Sequence, residues 1–135
     1  MSGWLVKSEP SVYSWDKMVK DGTTFWSGVR NYQAANNMKA MKRGDKVFFY
    51  HSNEGKEIVG IVEVAKEYYP DHTDKEGKFG MVDLKAGKKM PKPVTLAQMK
   101  STPALKSMAL IRQSRLSVTP VSKDEWAIIS KLAGL

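Results

Sequence analysis

Cysteine is absent from the 135 residues, which excludes a disulfide framework, a thiol nucleophile and a zinc knuckle. No apolar run approaches the roughly 20 residues that a membrane-spanning helix needs. The opening stretch, MSGWLVKSEP, has neither the apolar region of a secretory signal nor the Arg-rich amphipathic pattern of a presequence. No nucleophile elbow, phosphate-binding loop or dinucleotide fingerprint occurs. Histidine appears only twice. His72 stands between Asp71 and Asp74 in YPDHTD, yet no second histidine-plus-carboxylate cluster completes a coordination shell. The expectation is a cytoplasmic protein without membrane association, metal or cofactor.

Arginine is also scarce. Of 22 basic residues only Arg30, Arg43, Arg112 and Arg115 are arginine, against 14 acidic residues, for a net charge of +8. That balance suits a polyanion partner, because each neutralised phosphate releases counterions; a lysine-rich solvated surface explains the charge equally well. Basic residues gather in KAMKRGDK, with Lys39, Lys42 and Arg43, and in KKMPK, with Lys88 and Lys89, as a phosphate-tracking rim requires. With 41% apolar residues, the chain has enough to bury one core, and residues 1–135 read as a single domain.

The hydrophobic pattern predicts the order of elements. GWLVKS alternates as a short strand, with Trp4 and Val6 on one face and Leu5 on the other. Ser14 caps a short helix that ends at Asp21–Gly22. A second helix over about 32–41 buries Ala34, Ala35, Met38 and Met41 along one stripe. Two β runs follow, DKVFFYHS and EIVGIVEVAKEYY, joined by the turn NEGK. Both parities of the second run are apolar, so both of its faces should be covered, and Gly60 within it marks a bend or a close backbone approach. FGMVDLKA is a further strand, and MALIRQSRLSVTPV supplies two short extended pieces. Capping-box spacing at Thr95–Gln98 and Ser122–Glu125 predicts two more helices, the last burying Trp126, Ile129 and Leu132. An α+β domain built around a small barrel is the expected class.

Three segments have chemistry to offer. In FWSGVRN, a tryptophan beside Ser27–Gly28 can lie at the surface of a turn where glycine permits close approach. Arg30 and Asn31 then add a forked cation and an amide, a set that suits a planar heterocycle. On residue type alone, a core position for Trp26 and a helix-capping role for Asn31 weigh more. In KVFFYHS, Tyr50 shares one strand face with Ser52, and His51 shares the other with Phe49. His51 suits acid–base work or base recognition as well as a structural hydrogen bond. In RQSRLSVTP, Arg115, Ser117 and Thr119 face one way, and Arg115 fits a phosphate, a base edge or an ion pair.

WLVKSEP, YSWD, WSGVRNYQAANN, GDKVFFYHS, IVGIVEV, YPDHT, KPVTL and RQSRLSVTPVSKDEW, in this order, closely resemble the EVE domain family, and the match covers nearly the whole chain. The resemblance implies a PUA-like fold, a small mixed β-barrel with helices packed around it, related to the YTH and ASCH domains. It also implies a module that binds RNA or DNA and holds a modified base, such as a modified cytosine, flipped into an aromatic-lined pocket; a non-catalytic monomer is the expectation. By motif position, Trp26 would be a stacking wall, with Ser27, Gly28, Asn31 and Ser8 beside it. His51, Ser52, Arg115 and Ser117 fall on recurring family segments, and Arg30 joins Arg115, Ser117 and the two lysine clusters as contacts to nucleic acid. Phe79 stands where members often carry tryptophan, and would be a smaller second wall. Two other readings stay open: a small ribonuclease using His51, Lys7 and Tyr50, and a sensor of a free modified nucleobase or nucleoside.

Overall fold

The computed structural model describes residues 3–135 and is α+β. The elements run β1 (Gly3–Ser8), α1 (Trp15–Asp21), β2 (Thr23–Phe25), α2 (Tyr32–Ala40), β3 (Lys46–His51), β4 (Glu57–Pro70) and β5 (Gly80–Thr95). Then follow α3 (Leu96–Ser101), a 3-10 turn (Pro103–Leu105), α4 (Ala109–Arg112), β6 (Val118–Val121) and α5 (Lys123–Leu132). One six-stranded sheet has the order β2-β5-β4-β3-β1-β6. It is mixed, because β1 pairs parallel with β3 while its other neighbour, β6, is antiparallel.

The sheet is not closed into a barrel: its edges, β2 and β6, lie at opposite ends of the hydrogen-bonded order. Helices on both faces meet the requirement that barrel closure was expected to serve. Trp4, Val6, Val47 and Phe49 face a core that takes in Trp15 and Met18 of α1 and Ala34 and Met38 of α2. Leu5, Phe48 and Tyr50, of opposite parity, face a second core with Met99, Leu110 and Ile129 from α3, α4 and α5. Trp126 of α5 is half-buried, stacked on Phe48 with ring centroids 3.7 Å apart.

Gly60 explains why both parities of β4 are apolar. Pairing shifts register on either side of it, and the strand's parity inverts: Ile58 and Ile61 face the second core, whereas Val59, Val62 and Val64 face the first. A Cβ on Gly60 would lie 2.4 Å from the Trp15 indole, so this is a close approach that only glycine permits.

Two boundaries differ from expectation. The strand expected over 79–86 continues to Thr95 despite Pro91 and Pro93, because the prolines fall where regular pairing lapses, between Lys89 opposite Gly60 and Val94 opposite Ile58. Of the two extended pieces expected in 108–121, only β6 forms; Ala109–Arg112 is helical, which buries Leu110 against the second core.

Candidate functional site

β2 pairs with β5 for only three residues, Thr23 to Phe25. Trp26 follows directly, its N–H donating to the Val82 carbonyl at 2.8 Å. The chain then turns at Ser27–Gly28, where Gly28 adopts φ of +83°, the left-handed region that costs glycine least. Trp26 is half-buried. Tyr13 and Phe49 hold its indole by edge contacts, with centroids 6.1 and 5.8 Å away. It walls a cavity of about 560 Å³ that is also lined by Ser8, Ser27, Gly28, Arg30 and Ser117, a volume within the roughly 300–1,000 Å³ of ligand pockets.

The turn is held from the opposite side by Asp71, whose side chain is fully buried. Its carboxylate accepts from the Gly28 N–H at 2.8 Å, from Arg30 Nη1 at 3.1 Å, and from the Thr73 N–H and hydroxyl at 2.7 and 2.6 Å. Burial alone raises such a carboxyl's pKa; the hydrogen bonds from the Thr73 hydroxyl, the Gly28 and Thr73 N–H groups and Arg30 outweigh it and hold the group at about 2. Asp74 receives the N–H groups of Glu76, Lys78 and Phe79, and His72 packs edge-on against Phe25 at 4.8 Å. The YPDHTD segment therefore shapes the loop that braces the Trp26 turn.

The remaining expected residues fall in several places. Asn31 caps α2, accepting from the Ala34 N–H at 2.9 Å, and with Arg115 it lines a neighbouring groove. His51 is not among the cavity's lining residues; its Nε2 accepts from the Trp15 N–H at 3.0 Å. Desolvation lowers its pKa, against the pull of Glu57 and Asp16, in keeping with a neutral acceptor. The Ser52 N–H donates to the Ser8 carbonyl at 2.9 Å. Phe79 is not among the cavity's lining residues; it packs on Tyr32 at 4.9 Å, with the Arg30 guanidinium 5.8 Å from its ring. Lys39 lies over Tyr68, and Lys42 and Arg43 form the turn after α2. Lys88 and Lys89 are on β5, and Lys88 lines a separate hollow with Lys46 and Trp126.

Of His51, Lys7 and Tyr50, only Lys7 lines the cavity; it stands opposite Tyr50 in the β1–β3 register, and His51 is opposite Ser8. Tyr50 is buried in the second core, and Lys7 donates to the Ser114 carbonyl at 2.6 Å, its pKa lowered by burial. Sequence reading passed over Glu9, Val12, Tyr13 and Thr24, which also line the cavity. Glu9, Val12 and Tyr13 lie in SEPSVY, directly after the strand that ends in Ser8, whereas Thr24 comes from β2.

The EVE domain family matches residues 2–132. Human thymocyte nuclear protein 1 is 36% identical over 97% of this chain and 73% of its own length. A solution structure of a Rhodopseudomonas palustris protein is 56% identical, covering 99% of this chain and 94% of that one, with a TM-score of 0.94. A crystal structure of human THYN1 protein in complex with 5-methylcytosine-containing DNA is 34% identical, covering 100% and 99%, with a TM-score of 0.93.

Proposed function

Because this chain belongs to the EVE domain family, we propose that it is a non-catalytic nucleic-acid reader that takes a modified cytosine out of its strand and into the Trp26 cavity. The observation that carries this reading is the half-exposed indole on a cavity of base-accommodating size. A structural relative of 0.93 TM-score that is bound to 5-methylcytosine DNA supports it. Stacking of a base on an aromatic ring contributes roughly 1–3 kcal/mol. The pre-braced turn adds to this by leaving little to be ordered on binding. Extruding a base costs a few kcal/mol, least from a single strand. Phosphate contacts from basic residues offset that cost on either sugar backbone.

The test is competition binding at one stated salt concentration, with DNA and RNA oligonucleotides carrying cytosine or 5-methylcytosine. A preference for the methylated base is expected. Trp26→Ala should lower affinity by about tenfold or more, and Trp26→Phe should retain most of it, since a phenyl ring still stacks. Equal affinity for both bases, or unaltered binding by folded Trp26→Ala, would overturn the proposal.

A further inference from the structure

A second hollow, about 350 Å³, is lined by Asn31, Gln33, Gln113, Ser114, Arg115 and Leu116, residues that follow or precede those of the Trp26 cavity along the chain. No residue lines both, but the two are built from consecutive stretches of the chain. Val29 and Arg30 line the first and Asn31 the second; Ser117 lines the first and Ser114 to Leu116 the second. Both stretches are fixed. Lys7 holds the 114–117 turn through its Nζ on the Ser114 carbonyl at 2.6 Å and its N–H on the Ser117 carbonyl at 3.0 Å. Asp71 and the Asn31 cap hold 28–31.

The lining is polar and has bonding capacity to spare. Gln33 donates one amide hydrogen bond to Gln113 at 2.7 Å. A single amide–amide bond leaves the donor's oxygen and the acceptor's NH₂ group unused, whichever way the pair is oriented. The exposed pair thus presents an acceptor beside a donor, the complement of the N6 and N7 edge of adenine. Arg115 is exposed and forms no ion pair among the described residues; its fork matches O6 and N7 of guanine. Purines share N7, and pyrimidines lack it.

We propose that this groove reads the nucleotide next to the one held in the Trp26 cavity and selects a purine there. The assignment rests on the reading of that cavity as a base site. It makes the protein sensitive to sequence context as well as to modification.

The experiment uses the full chain and a set of 5-methylcytosine oligonucleotides in which the 5′ and then the 3′ neighbour is each of the four bases, with unmethylated counterparts. A purine should bind on the order of tenfold more tightly than a pyrimidine at one neighbour. In Arg115→Ala combined with Gln113→Ala, both exposed positions, that difference should collapse while the preference for the methylated base persists. Equal affinity for all four neighbours would overturn the inference. So would a loss in the double variant that is uniform across sequences, which marks a phosphate contact. Failure of the cavity reading looks different: affinity would then be indifferent to methylation whatever the neighbour.

Discussion

Asp71 is surrounded by donors, and its acid–base behaviour follows. Its pKa falls from an ordinary 3.8 to about 2 in the folded protein. Folding therefore favours the ionised form. The resulting stability is present in full above about pH 4 and is lost as pH falls through 2, a contribution of about 2 kcal/mol for a buried group. Asp71→Asn should lower stability at pH 7 by a comparable amount and flatten the pH dependence between 4 and 2, read from urea unfolding at each pH. An unchanged acid profile would remove Asp71 from this role. Nothing local in YPDHTD announces it, because Gly28 is 43 residues away in the chain and the same acid–histidine spacing suits a metal ligand set. Trp26, Ser27 and Gly28 were legible as one turn, since ring, small residue and glycine are neighbours in sequence, though residue type alone weighed toward a core position for the ring. Tyr13 and Thr24 were not, because only the pairing of β2 with β5 and the turn after β1 bring them to that ring.

Among the elements, the strands show where periodicity succeeds and where it fails. Alternation in β1 and β3 sorted side chains correctly between the two cores, since those strands pair in continuous register. It could not show whether helices or barrel closure covers the second face, because either solution leaves the same apolar pattern. In β4 the inversion at Gly60 depends on Trp15, 45 positions earlier, lying against its backbone. Gly60→Ala places a methyl group 2.4 Å from the ring atom Cη2 and 2.5 Å from Cζ3, and overpacking of this kind costs about 1–3 kcal/mol. Trp15→Phe removes the part of the ring that collides. In a double-mutant cycle the two substitutions should therefore cost less together than the sum of each alone. Strict additivity in thermal or urea unfolding would show that the contact is not what fixes glycine there.

For the whole molecule, the question is where a net charge of +8 meets a strand. α2 packs on the same core as Trp26, and Lys42 and Arg43 are exposed in the turn after it. Lys88 borders the hollow beside Trp126, on the layer formed by α5. We propose that a strand whose base enters the Trp26 cavity runs along the α2 side. Each phosphate neutralised there contributes about −0.9 to the slope of log K against log salt on duplex DNA, and about −0.7 on a single strand. Between 50 and 200 mM salt, the parent protein should show a clearly negative slope with a methylated oligonucleotide. Lys42→Gln and Arg43→Gln should each reduce its magnitude by about one while weakening all sequences alike; Lys88→Gln should leave it unchanged. Free 5-methylcytosine carries no phosphate, so its binding should not vary with salt. A flat slope for the oligonucleotide, together with tight binding of the free base, would make the protein a sensor of small molecules. Equal effects of Lys42→Gln and Lys88→Gln would place the strand elsewhere on the surface.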